Sequence, residues 1–310
     1  MRAVFFGTPE IALPALHALA EIGHVTGVVC QPDRPSGRGR TLRQPPVKLA
    51  AATLGLDIHQ PVALRRDELG AWLEARKPDV ALVLAYGRIL PGWLLQMPAH
   101  GCMNLHASLL PKYRGAAPIQ WSIVNGESET GVSLMQMDEG LDTGPVWTMR
   151  SLAIQPEETA GELSQRISQL AALMVRQDLP RALAGELDPR SQDSSRSTFA
   201  PRIRPEHALV DWRSSAAQVA RLIRGLLPRP GAYTTVNGKR LRLLGARPLS
   251  MELDTLPGQV SVASGQRVFI QTGGGGLELL RAQMEGRNAC SARELLNGRL
   301  LYPGVTLGVQ

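Results

Sequence analysis

Short apolar runs alternate with stretches of helical period over the first two thirds of the chain, and shorter runs separated by turn residues fill the last third. Arg2–Phe6, an Ala/Leu-rich helical pattern over Glu10–Glu21 and Val25–Cys30 together predict a βαβ opening. Further strands are predicted at Val80–Ala85, Gly101–His106, Gly131–Met137 and Val146–Ile154. Helical patterns intervene at Val47–Leu54, Glu68–Arg76 and Ala117–Val124, and a long one, Thr159–Leu183, closes the block. This alternation predicts an α/β fold with a doubly wound, mostly parallel sheet.

The pattern then stops. From Gly185 to Pro205 the residues are mostly Pro, Ser, Asp and Arg, which cannot bury a core face, so 188–204 is expected to be a linker between domains over 1–187 and 205–310. Beyond it, one helix is predicted over Ala216–Leu227. Strands follow at Tyr233–Val236, Leu241–Ala246, Gly258–Ala263, Val268–Gln271 and Leu277–Ala282, with an Asn237-Gly238 turn. A small β-barrel with one helix fits this spacing.

The length, 310 residues, suits two domains. The opening apolar run, Ala3–Phe6, is too short for a signal peptide and no later run could span a bilayer, so a cytoplasmic protein is expected, and a monomer. Cys30, Cys102 and Cys290 lie far apart with no metal-ligand spacing, and are expected to be reduced and buried; no metal is expected. Net charge sharpens the picture once located. Of the total +7, Gln31–Lys48 carries +4 and Arg196–Arg247 carries +9, leaving −6 elsewhere. Such segregation points to a polyanion, with nucleic acid the leading candidate and a merely solvated basic face the alternative.

Two glycine signals carry no chemistry. Gly7-Thr-Pro-Glu10 follows the first strand but lacks the Gly-x-Gly-x-x-Gly that brings a pyrophosphate against a helix, which argues against a nicotinamide cofactor. Gly273–Gly276 falls between two predicted strands and reads as a hairpin turn. A different cluster does carry chemistry. Asn104 and His106 share one face at the C-terminal end of a predicted strand, where open parallel sheets bind ligands. Asp142 adds a carboxylate from Leu141-Asp-Thr-Gly144. An amine attacking an acyl carbon generates an oxyanion and must lose a proton. Asn104 can donate to the oxygen, His106 can donate or relay a proton, and Asp142 can orient and charge the imidazole. Asn-x-His on a strand and a Leu-Asp-Thr-Gly turn also occur as structural features, so spacing alone leaves both readings open.

Asn104-x-His106 with Ser108-Leu-Leu-Pro111, Tyr113-Arg-Gly-Ala-Ala-Pro-Ile-Gln120, Glu129-Thr-Gly-Val132 and Met135-Gln-Met-Asp-Glu-Gly-Leu-Asp-Thr-Gly144 resembles the folate-dependent formyltransferase family. Phe6–Glu10, Gln31–Arg40, Asp211-Trp212 and Pro230-Gly-Ala-Tyr233 extend the resemblance over nearly the whole chain. It implies a Rossmann-like domain followed by a smaller OB-fold-like barrel. It also implies transfer of a formyl group from 10-formyltetrahydrofolate to the amino group of initiator methionyl-tRNA, with Asn104, His106 and Asp142 as the catalytic trio. Ser108, Leu109, Leu110 and Pro111 map onto the family's folate-binding stretch, and Leu84, Tyr86, Gly87 and Ile89 onto the loop beside the pterin. The family's basic loop after the second strand maps to Pro32–Pro46, so Arg34, Arg38, Arg40 and Arg43 are expected at the tRNA, joined by Arg202, Lys239 and Arg240 from beyond the first domain.

Two departures stand out. Leu226-Leu-Pro-Arg-Pro230 replaces the family's Phe-Asn-Pro-Trp-Pro, and Arg202 stands where many members carry Lys. An amino-sugar or purine-precursor acceptor would use the same trio, and a non-catalytic RNA-binding protein would keep the same basic surface; the basic loop argues against the first and the intact trio against the second.

Overall fold

The computed structural model describes residues 1–36 and 41–308. The chain divides into two compact units. One comprises residues 1–118, 129–153 and 164–201; the other takes in 119–128, 154–163 and the chain from Arg202 onward.

In the first unit, strands β1 (Arg2–Gly7), β2 (His24–Val29), β3 (Arg34–Ser36), β4 (Thr41–Arg43), β5 (Ile58–His59), β6 (Val80–Leu84), β7 (Cys102–His106), β8 (Glu129–Gln136) and β9 (Val146–Ala153) form one large and one small sheet. The large sheet runs β5-β2-β1-β6-β7-β8-β9. It is parallel from β5 to β7, and β8 and β9 then join antiparallel. Ala3–Phe6 and Val80–Leu84 are almost wholly buried, as expected of parallel strands covered on both faces. β9 instead alternates between inward and exposed positions, as an antiparallel strand with one wet face should. The connection from β1 leads to β2 on one side, while β6 lies on the other. The β1 and β6 strand ends therefore flank the topological switch point, with β7 one strand beyond.

Helices α1 (Leu13–Ile22), α2 (Pro46–Thr53), α3 (Ala71–Arg76) and α4 (Gly92–Leu95) connect these strands. The predicted Glu68–Arg76 helix begins as a wider π-turn over Arg66–Gly70 before narrowing into α3. Helices α5 (Pro118–Val124) and α6 (Ala160–Gln177) come next. The predicted Thr159–Leu183 helix breaks at Asp178, after which α7 (Leu179–Leu183) begins with Pro180 in its first turn, where a missing N–H is tolerated. The buried Asp178 carboxylate takes both Nε and Nη2 of Arg150. The segment after α7 holds no long element, but it is not loose. Arg190 exchanges backbone hydrogen bonds with Val146, and residues 198–200 bond to Pro111, Arg114 and Ala117.

The second unit holds α8 (Ala216–Gly225), β10 (Tyr233–Val236), β11 (Lys239–Pro248), β12 (Val260–Ala263), β13 (Arg267–Gln271), β14 (Gly276–Met284), β15 (Cys290–Ser291) and α9 (Ala292–Asn297). Its antiparallel sheet runs β10-β11-β14-β13-β12, with β15 beside β14, and two register irregularities bend β11 against β14. The result is a partly open barrel of OB-fold type, closed around a core that includes Trp212, Ile223, Leu241, Leu243, Ile270 and Leu279. Ser215 and Gln218 cap α8 reciprocally. Gly273 and its neighbours form the β13–β14 turn. Cys30 and Cys102 are buried and reduced as expected, whereas Cys290 is half-exposed because it lies in the short strand β15.

Candidate active site

β7 lies between parallel β6 and antiparallel β8. Asn104 stands opposite Val83 and Met135, and His106 opposite Ser133. The two-residue strand repeat puts Asn104 and His106 on one face. Asn104 is half-buried, and its carboxamide bonds no described residue. His106 is 5% exposed and tightly held. Its Nε2 lies 2.9 Å from the Tyr113 carbonyl oxygen. A carbonyl only accepts, so Nε2 carries hydrogen, and Nδ1 is the nitrogen that can gain or lose one. Nδ1 lies 3.6 Å from Asp142 Oδ2.

Both neighbours of His106 reach it through left-handed backbone, with φ of 61° at Tyr113 and 53° at Asp142. Such angles are uncommon outside glycine and persist only where the surroundings enforce them. At Asp142 the enforcement is visible. Its Oδ2 accepts the Gly115 N–H at 2.9 Å, and Gln192 Nε2 donates to the Asp142 carbonyl at 2.8 Å and the Gly144 carbonyl at 2.7 Å. Asp138 folds the same loop by accepting from the Gly140 amide and the Thr143 hydroxyl. Gly144 must lack a side chain, since a Cβ there would meet the Gln136 carbonyl oxygen at 2.0 Å.

The stretch after β7 is built around Ser133 of β8, whose hydroxyl donates to the Ser108 carbonyl at 2.7 Å and accepts from the Leu110 amide at 3.1 Å. The Ser108 hydroxyl donates to the Lys112 carbonyl, and the Leu110 side chain packs with Met135 and Val146. Leu109 and Pro111 are half-buried. On the neighbouring strand end, Leu84 is buried and so is Tyr86, whose ring meets Phe6 edge-on and whose hydroxyl has no partner among the described residues; burial pushes that phenol up to about 12. The Tyr86 carbonyl takes Thr8 Oγ1 and Gln31 Nε2. Gly87 and Ile89 are exposed, Ile89 by 77%. Of the eight residues expected near folate, then, Ser108, Leu110, Leu84 and Tyr86 direct their side chains into the protein, while Gly87 and Ile89 stand open.

The basic residues separate similarly. Arg34 and Arg43 face each other across the β3–β4 hairpin and are exposed, with Arg34 bonded to Gln31 Oε1. Arg38 and Arg40 lie outside the described residues. In the second unit Arg202, Lys239 and Arg240 are exposed, and the Arg240 guanidinium stacks 3.6 Å above the Tyr233 ring. Arg224 and Arg242, equally basic in sequence, instead bond the backbone carbonyls of Glu158 and Pro228.

The sequence did not single out Gln192, Arg114 or Ser133. Arg114 and Ser133 lie in or beside recognisable motifs, but Arg114 works through a side chain 78 residues away and Ser133 through the backbone of Ser108 and Leu110. Gln192 sits in a Ser/Asp-rich stretch with no periodic pattern to mark it.

A family model described as "Formyl transferase" matches residues 1–178, and one described as "Formyl transferase, C-terminal domain" matches 202–300. The chain is 51% identical over 311 aligned residues to the methionyl-tRNA formyltransferase of Sorangium cellulosum, covering 99% of this chain and 100% of that one. It is 44% identical to that of Geobacter metallireducens, with 99% of each covered. Among solved structures, the sugar 3N-formyl transferase WlaRD shares the fold at a TM-score of 0.68 and 15% identity, covering 93% of this chain and 99% of that one. The methionyl-tRNA formyltransferase of Clostridium thermocellum does so at 0.55 and 18%, covering 90% and 99%. With family models over most of both units and such identity at full length, the chain belongs to the methionyl-tRNA formyltransferase family.

Proposed function

We propose that the chain transfers a formyl group from 10-formyltetrahydrofolate to the free amino group of methionyl initiator tRNA, supporting translation initiation. The observation that carries the catalytic assignment is the meeting of Asn104, His106 and Asp142 at one strand end, with His106 set between a carbonyl and a carboxylate.

The residues present fit the folate. A half-buried carboxamide that bonds no described residue, on a strand paired with the one whose following loop holds the open Gly87 and Ile89, suits a ligand that brings its own acceptor. The backbone of 107–111, braced by Ser133, and the exposed part of 85–91 would hold the pterin side. The bound folate supplies an activated formyl carbon. Asn104 donates its N–H to the formyl oxygen as charge develops there. His106 cannot offer Nε2, which serves Tyr113, so Nδ1 accepts the proton that the attacking amine loses as the new C–N bond forms, and returns it to the folate nitrogen as that nitrogen's bond to the formyl carbon breaks and tetrahydrofolate leaves. Asp142 faces that nitrogen and stabilises the charge it acquires. Holding amine and formyl carbon together supplies much of the rate, since orientation is worth about 7–11 kcal/mol.

Arg34, Arg38, Arg40 and Arg43 serve the RNA from the basic segment Pro32–Pro46, and Arg202, Lys239 and Arg240 track phosphates without reading sequence. In this reading 1–187 carries catalysis, 188–204 the connection and 205–310 the tRNA surface. No helix among the described residues is long and apolar enough to cross a membrane. A monomer acting in the cytoplasm completes the proposal.

The test incubates purified protein with methionyl initiator tRNA and 10-formyltetrahydrofolate, with an amino-sugar nucleotide in parallel. Formyl-methionyl-tRNA by acid gel or mass spectrometry is expected; a formylated sugar with untouched tRNA would overturn the acceptor.

A further inference from the structure

Asp142 occupies a left-handed conformation on an exposed-edge connection between β8 and β9, and its carboxylate is useful only while it faces His106 Nδ1. One side chain from fifty residues away meets the backbone at Asp142 itself and two residues beyond it. Gln192 Nε2 donates to the carbonyls of Asp142 and Gly144, and Oε1 accepts from Arg114 Nε at 3.1 Å and Nη2 at 2.8 Å. Every donor and acceptor position of that amide is therefore used.

The partners are themselves fixed. Arg114 is 4% exposed, its N–H donates to the Thr198 carbonyl at 2.9 Å and its carbonyl accepts from Ala200 at 2.8 Å. Arg190 pairs with Val146 on the other side of Gln192. Residues 113–115 thus supply the Tyr113 carbonyl for His106, the Arg114 fork for Gln192 and the Gly115 N–H for Asp142, so one amide links the two loops that grip the imidazole.

We infer that Gln192 is a positioning residue for Asp142 in formyl transfer, an assignment that rests on Asp142 serving His106 as proposed above. Without the two amide bonds, nothing else described holds the Asp142 and Gly144 carbonyls, and the Gly115 N–H alone is left to steer the carboxylate toward His106 Nδ1. A misplacement near 1 Å at a reacting centre lowers the rate by about 10²-fold.

The test measures kcat and KM of the full chain for wild type, Gln192→Ala, Asp142→Asn and the double variant, together with thermal midpoints. Gln192→Ala is expected to lower kcat by about 10- to 100-fold while both KM values stay within about twofold. In the Asp142→Asn background the same substitution is expected to cost nothing further, because its effect runs through the carboxylate. A loss by the same factor in both backgrounds, or a wild-type kcat in Gln192→Ala, overturns the assignment. An unimpaired Asp142→Asn overturns the role of Asp142 and that of Gln192 with it, whereas an impaired Asp142→Asn beside an unimpaired Gln192→Ala overturns the second alone. If Gln192→Ala does not fold, Gln192→Glu carries the test: it keeps the acceptor for Arg114 but sets a carboxylate against two carbonyls. It is expected to fold with a comparable kcat loss, and a wild-type kcat in it overturns the assignment.

Discussion

Truncating Asn104 to Ala should separate catalysis from folding more cleanly than any other substitution in the site. Its carboxamide bonds no described residue and is only half-buried, so removing it takes no hydrogen bond from the fold. Nor does it orphan a partner, the event that makes most polar deletions costly. The expected change in unfolding free energy is therefore under about 0.5 kcal/mol. In the reaction the same amide is the donor with no competing protein partner, since His106 Nε2 serves the Tyr113 carbonyl and Asp142 can only accept when ionised. Losing one such donor costs about 2.7–4 kcal/mol, or 10²–10³ in kcat. Because the bond strengthens only as charge develops, KM for either substrate should hardly move. The assay is formation of formyl-methionyl-tRNA under saturating substrates, paired with calorimetric melting of the same preparation. Asn104→Asp, which keeps the shape and removes the donors, should be at least as impaired. A kcat within about threefold of wild type would place the oxyanion donor elsewhere. A melting point that fell in step with activity would make Asn104 a structural residue.

Three further outcomes follow from the same geometry. Gly115→Ala places a Cβ 2.8 Å from the Ala200 carbonyl oxygen at φ 120°, so denaturant unfolding should show a loss of about 1–3 kcal/mol together with lowered kcat; an unchanged midpoint would refute the close approach of 198–200 to 114–117. Tyr86→Phe removes a buried hydroxyl that bonds no described residue, so stability should hold or rise by up to about 1 kcal/mol and the KM for folate should stay put; a raised KM would mean that the hydroxyl meets the cosubstrate. Glu278 accepts a two-pronged contact from Arg267, which holds its carboxyl below the ordinary 4.5. A lowered carboxyl pKa stabilises the fold above the unfolded value, and the gain is lost as pH falls through the folded one. The melting-point advantage of wild type over Glu278→Gln should be full at pH 6 and shrink below about 4.5; an advantage that grew on acidification would contradict the pairing.

Much of this protein could be read from local pattern. Unbroken apolar runs located β1 and β6 within a residue or so, because a strand buried on both faces has nowhere to put a polar side chain. Asn104 and His106 shared a face for the equally local reason that strands repeat every two residues. Residue chemistry also put Asp142 beside them as the carboxylate, and motif resemblance then decided for the catalytic reading and supplied the acceptor and the folate. The pairing of β3 with β4 was not visible, since these short, charged, Pro-containing strands carry no alternation, and the break in the predicted 159–183 helix was missed although Pro180 marks it.

Other features depended on partners remote in sequence. The reversal of β8 leaves no local trace, because an apolar strand reads the same in either direction; it is decided by which neighbour completes the sheet. The hydrogen on His106 Nε2 is set by a backbone carbonyl, and every residue type carries one. Gln192 belongs to a stretch whose composition says only that it is polar, and its four bonds exist because backbone pairing at Arg190 and at 198–200 brings it beside Asp142 and Arg114. Side-chain identity and periodicity thus determined the elements and the chemical groups. Their mutual geometry came from long-range backbone pairing and burial, which no local window contains.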